Sequence, residues 1–169
     1  SLVEFFSNPY ALQSLVFWLM GSLGRAGWED LAVSLPLVTA GTVVLIMMRW
    51  RVNVLSLGLD EARSLGIRVT RDRAMIIAAA TLATAAATAV TGVINWVGLV
   101  VPHLVRLAVG PDNRKVIPLS ALFGASLLLA ADTLIRAASP FDFPIGILTS
   151  LVGIPFFIVL LRRSGRIWQ

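Results

Sequence analysis

The sequence predicts an all-α fold, a polytopic membrane helix bundle of about five spans preceded by an N-terminal partial or re-entrant helix. Three observations carry this prediction. Of the 169 residues, 57% are hydrophobic and only 14% are charged, and a mean hydropathy of +0.87 lies outside the range of soluble domains. The apolar residues are gathered into runs close to the roughly 20 residues that cross a bilayer as a helix. The charges lie mostly in the gaps between those runs, so residues 1–169 read as a single membrane domain.

Taken in order, Tyr10–Leu23 is a 14-residue run, the length of a re-entrant or interfacial helix or the remainder of a span cut off upstream. Leu31–Met48 is an 18-residue run without charge that contains Pro36. Ala74–Val93 is a 20-residue run of the same kind, rich in Ala and Thr. Ile94–Val109 is shorter and holds Pro102, His103 and Arg106, which a span tolerates only when neighbouring helices shelter it. Val116–Ile135 and Ile145–Leu161 complete the set. Small residues over Ala78–Ala89 and at Gly124, Ala125 and Ser126 suit close helix contact. The chain starts at Ser1 without Met or a basic n-region, and Glu4 stands in its first segment. No signal peptide is therefore expected, and the chain reads as beginning mid-protein.

Composition also narrows function. With no Cys, there is no disulfide frame, thiolate metal site or Cys nucleophile. Fourteen Lys and Arg against nine Asp and Glu give a net charge of +5. In a soluble chain that excess would suggest nucleic acid, but here it sits between apolar runs, where anionic lipid and the positive-inside bias account for it. No basic stripe interleaved with aromatics is present, so no nucleic-acid partner is expected. If the five later segments alternate, Arg49–Arg73 contributes six basic residues, Arg106–Lys115 three and Arg162–Arg166 three to one side. Arg25 and Arg136 alone remain opposite, which predicts a cytoplasmic Arg49–Arg73 and C-terminus.

The one long polar gap is 49–73. Within it Asn53–Ile67 reads as a short helix, with Asp60 and Glu61 in the first turn and Gly66 as the stop. A second short element starts near Thr70. Two readings stay open on pattern alone: a solvated loop helix, or a docking element, because Leu57, Ala62 and Leu65 make an apolar stripe at the membrane surface.

Other polar residues are weighed singly. His103 is the only His and has no carboxylate at ligand spacing on its helix, so a structural or hinge role is expected rather than a metal site. Arg106 is expected to snorkel to the nearer surface. Asp132 and Arg136 are one turn apart and suit an i,i+4 pair near the outer end of a span. Asp112, Asn113, Arg114 and Lys115 after Gly110-Pro111 read as a turn, and no Gly-rich phosphate loop accompanies them. Trp168 reads as an interfacial anchor. No catalytic residue, metal or cofactor is expected.

Longer motifs carry a resemblance. Leu57-Gly58 through Gly66-Ile67, then Gly92-Val93-Ile94-Asn95-Trp96-Val97-Gly98-Leu99-Val100-Val101-Pro102-His103-Leu104-Val105-Arg106-Leu107, and Gly110-Pro111-Asp112-Asn113-Arg114 follow in order. Pro118–Ala125, Ala131-Asp132, and Pro144–Thr149 through Gly153-Ile154-Pro155-Phe156-Phe157 continue the series, and Trp18–Leu23 also fits. Together they resemble the permease family of iron-siderophore, haem and cobalamin ABC importers. Permeases of that family are about twice as long and have ten spans, so the resemblance is to their C-terminal half.

The resemblance implies that residues 1–30 hold the end of the fifth span and an outer loop. It further implies spans at 31–48, 74–93, 94–109, 116–135 and 145–161, and a cytoplasmic coupling helix pair in 49–73. Leu57, Gly58, Asp60, Glu61, Ala62, Arg63, Leu65 and Gly66 would then dock on the ATPase. Arg136 stands where a cobalamin permease of the family uses an Arg to meet acidic residues of its binding protein. The implied partners are a second permease chain, cytoplasmic ATPase subunits that carry out ATP hydrolysis, an extracytoplasmic substrate-binding protein and membrane lipid. The implied location is a bacterial or archaeal cytoplasmic membrane, with siderophore, haem, cobalamin and metal oxyanion all open as cargo.

Two other classes compete. An ion-coupled secondary transporter would bury charged or polar coupling groups at mid-membrane, whereas Asp132 and Arg136 fall toward one end. A membrane enzyme would need a clustered nucleophile, base or metal set, and one His without Cys does not supply it.

Overall fold

A computed structural model describes residues 9–24, 26–138 and 144–164. Among the described residues there are helices α1 (Pro9–Leu19), α2 (Trp28–Leu55), α3 (Leu59–Ser64), α4 (Val69–Thr91), α5 (Val97–Val109), α6 (Asn113–Ala138) and α7 (Ile145–Ser164), and no strand. The fold is all-α, as expected. Arg25, the Ser139–Phe143 turn and Trp168 lie outside the described residues.

Polarity does not end helices here; glycine and tight turns do. Arg49 and Arg51 are good helix formers, so α2 runs through the charged boundary at Met48 and reaches Leu55 over 28 residues, about 42 Å at the helical rise. Its start is closed by the Gly27 N–H donating to Asp30 Oδ2 at 3.0 Å. The helix read over Asn53–Ile67 is accordingly divided: Asn53–Leu55 finish α2, and α3 has only six residues. The element expected near Thr70 is the first turn of α4, which continues for 23 residues. One short helix, rather than a separate pair, lies between the ends of two long ones.

At the other end of α4, Gly92 takes a φ of 71° and donates to the Thr88 carbonyl at 2.9 Å, which stops the helix. Ile94, Asn95 and Trp96 stay outside α5, and Trp96 has a left-handed φ of 68°. The helix that follows has 13 residues, about 20 Å, shorter than a hydrocarbon core of roughly 30 Å. The end of α1 lies against this break, where the Ser22 N–H donates to the Thr91 carbonyl at 2.8 Å. Among the described residues α2, α4 and α6 are long and apolar enough to cross a membrane.

Packing relies on small side chains. A Cβ on Gly41 of α2 would lie 2.6 Å from the Ala79 carbonyl oxygen of α4, so a larger residue cannot enter without separating the two helices. Val101 and Val105 of α5 pack with Val116 of α6. The α5–α7 seam is aromatic: Trp96 lies 5.6 Å from Phe157, and His103 meets Phe156 edge-on at 6.0 Å. His103 is thus a packed, half-buried side chain between helices.

Candidate functional site at the α3 end of the bundle

Six residues cannot hold a helix alone, because nucleation costs more than one turn of hydrogen bonds returns. α3 is held from outside. Asp60 and Glu61 occupy its first turn and Arg63 its last, each at the end of the helix dipole that suits it. At its end the Ile67 N–H donates to the Ala62 carbonyl and the Gly66 N–H to the Arg63 carbonyl, both at 3.0 Å. With Gly66 at φ 77° this is a Schellman stop, accompanied by its usual apolar contact between Ala62 and Ile67. Val54, at the end of α2, completes that small core.

This arrangement corrects the expected apolar stripe. Ala62 is fully buried and anchors α3, whereas Leu57, Leu59 and Leu65 are 64%, 45% and 55% exposed. The outward surface of α3 is therefore Leu57, Leu59 and Leu65 interspersed with Asp60, Glu61 and Arg63. The Arg63–Asp60 pair, 3.4 Å apart and open to solvent, contributes little. Gly58, at φ 137°, forms the joint between α2 and α3.

Two polar links brace the ends of the long helices around α3. Arg51 Nη1 of α2 meets Asp72 Oδ1 of α4 at 2.7 Å, with the Asp72 side chain 4% exposed. Asn53 of α2 reaches the turn before α6: its amide donates to Asp112 Oδ1, and its own Oδ1 accepts the Asn113 N–H at 2.7 Å. Asp112 Oδ1 also accepts the Arg114 N–H at 2.9 Å. Arg106 of α5 donates to Asn113 Oδ1 at 3.2 Å. Those hydrogen bonds, first from the Arg114 backbone and then from Asn53, hold the Asp112 carboxyl below its usual value of 3.8. Between α3 and this turn lies an open groove of about 720 Å³, lined by Leu57, Leu65, Val109, Pro111 and Asp112 among others.

Sequence reasoning found α3 but missed its bracing. Asn53 and Asp112 are 59 positions apart, and no local pattern joins them. An amide at the end of an apolar helix and a Gly-Pro-Asp-Asn turn were the available signals. At the far end of α6, Arg136 Nε donates to Asp132 Oδ2 at 2.7 Å, with side chains 57% and 17% exposed respectively. It lies 23 helical residues from Asn113, about 35 Å along the axis. The structure does not bring Arg136 together with the α3 residues.

Comparisons with known proteins agree with this architecture. The chain is 45% identical over 151 residues to the cobalamin import system permease protein of Halobacterium salinarum, covering 89% of this chain and 41% of that protein. It is 40% identical to the hemin transport system permease protein of Yersinia pestis, over 96% of this chain and 49% of that one. The molybdate import system permease protein of Haemophilus influenzae is 38% identical over 98% of this chain and 50% of its own length. A solved structure of a metal-chelate type ABC transporter in an inward-facing conformation superposes with a TM-score of 0.88 at 37% identity, covering 96% of this chain and 53% of that one. The chain thus spans about half the length of the curated relatives it matches. Because the model of that family also matches residues 1–163, the chain belongs to the FecCD transport family.

Proposed function

We propose that this chain supplies the C-terminal half of the membrane permease of an ATP-binding-cassette importer for a metal chelate or cobalamin, and that α3 is where it meets the ATPase. The observation that carries the reading is a short helix anchored on its inner side by Ala62 and presenting Leu57, Leu59 and Leu65 outward. An apolar surface so placed, at the end of long apolar helices, is stable only against a partner. Family membership supports the identity of that partner. Gly58 and Gly66 bound the docking helix, and Asp60, Glu61 and Arg63 give it polar register.

In this reading α3 and the C-terminus are cytoplasmic, and a second permease chain completes the pathway. An extracytoplasmic binding protein docks at the opposite end, where Arg136 meets an acidic face. The chain does no chemistry; ATP hydrolysis belongs to the partner subunits. Relatives named for cobalamin, hemin and molybdate resemble it at 45%, 40% and 38% identity. That narrow range favours no single cargo.

The test is Leu65→Asp in the full-length permease expressed with its ATPase. The expected result is lost co-purification of the ATPase and at least about tenfold less substrate-stimulated ATP hydrolysis, the scale of removing a well-packed interface anchor. Unchanged co-purification and hydrolysis would make α3 a solvated loop helix.

A further inference from the structure

Asn53 stands in the last turn of α2, just before the Ser56–Gly58 joint that leads to α3. It uses both ends of its amide on one turn, donating to Asp112 Oδ1 and accepting from the Asn113 N–H at 2.7 Å. That turn ends α5 and begins α6, and the Asn113 side chain, in a residue only 7% exposed, accepts from Arg106 of α5 at 3.2 Å. The end of α2 is therefore tied to two further helices through one small polar cluster. Groups bonded to one another through both donor and acceptor around the buried Asn113 have few alternative geometries, so they move as a unit.

We infer that Asn53 and the Asp112–Asn113 turn form a clasp that carries displacement of α3 into α5 and α6. The inference rests on the importer reading above and assigns positioning residues that make no contact with nucleotide or cargo. Without the clasp, force applied at α3 would pass from the end of α2 to α4 through Arg51 and Asp72, with no polar link onward to α5 among the described residues. With it, the same force reaches α5, whose other end abuts the non-helical Gly92–Trp96 segment. Coupling of this kind needs a contiguous element that both ends bias, and Asn53 closes the gap between α2 and the α5–α6 turn.

The hydrogen-bond chemistry supplies a test that generic damage does not reproduce. Asn53→Asp removes the donor and sets a carboxylate against Asp112. Asp112→Asn keeps an acceptor oxygen for both Asn53 and the Arg114 N–H. The double exchange, Asn53→Asp with Asp112→Asn, reverses the donor and acceptor and restores both links between α2 and the turn, giving up only the Arg114 N–H bond inside the turn, which shares Asp112 Oδ1 with Asn53.

The experiment measures cargo taken up per ATP hydrolysed, using the full-length permease with its ATPase and binding protein in proteoliposomes. Expected are a loss of about fivefold or more for Asn53→Asp, a change within about twofold for Asp112→Asn, and recovery to within about twofold in the exchange, the range typical of directly coupled pairs. If Asn53→Asp lowers the amount of assembled complex but leaves the ratio intact, or if the exchange fails to restore it, the clasp does not transmit coupling. A native complex that shows no ATP-driven uptake overturns the importer reading and the clasp's role with it. A competent native complex with an unaffected Asn53→Asp variant overturns the clasp alone.

Discussion

A single carboxylate, Asp112, gives the α3 end of the bundle a pH signature. Its folded pKa lies below the ordinary 3.8 because the Arg114 backbone and the Asn53 amide favour the ionised form. A depressed carboxylate contributes stability that is complete above its unfolded value and disappears as pH falls through the folded one. Thermal unfolding of the detergent-solubilised permease should therefore lose this contribution only below about pH 3.8. Asp112→Asn should remove that part of the acid dependence and lower the melting temperature near neutral pH toward the value the native protein has in acid, because the amide keeps the acceptor oxygen but not the ionised form that these bonds favour. An acid limb identical in the variant and the native protein would show that Asp112 is not differentially ionised by folding.

In α3 and its C-cap, two residues separate anchoring from docking. Ala62 is fully buried while Leu65 is 55% exposed, so enlarging the first and trimming the second should have opposite consequences. Ala62→Leu overpacks the contact with Val54 and Ile67 and should cost about 1–3 kcal/mol of local stability. Amide exchange or limited proteolysis of 56–68 would report that loss as an opened α3. Leu65→Ser should leave the same exchange unchanged and weaken only ATPase association. Equal exchange effects from the two variants would mean that Leu65 also packs within the chain.

For the whole molecule, orientation follows from charge. Twelve basic residues gather on one side of the predicted spans and two on the other, so a Cys introduced at Ser64 should resist a membrane-impermeant thiol reagent in intact cells while one at Ser139 reacts. The opposite labelling would invert the topology. The end bearing Arg136 should then govern encounter with the binding protein. Arg136 is exposed beside Asp132, so Arg136→Glu in the full complex should slow association with an acidic docking face and flatten its ionic-strength dependence. An association rate and salt slope equal to the native values would leave Arg136 in its local pair with Asp132. Inside the chain, only 17%, 11% and 6% of the most apolar stretches of α2, α4 and α6 are buried. Lipid or further protein must therefore cover most of their surface.

The amino-acid sequence by itself determined the apolar runs, their approximate order and the position of the one polar interruption, because crossing a bilayer demands length and hydrophobicity that any reader of residues can count. It also marked the acidic first turn of α3 and its stop at Gly66, which are local signals, while the start of that helix was read too early, at Asn53. Helix ends were less legible. Arg49 and Arg51 marked a change of solvent, but α2 continued to Leu55, since hydrogen bonding along a helix is indifferent to whether the side chains are polar. Only the tertiary structure decided that Ala62 faces inward, that Arg51 finds Asp72, and that Asn53 finds Asp112 and Asn113. Those contacts join residues from different helices, and periodicity within one helix carries no information about which turn of another will stand opposite it.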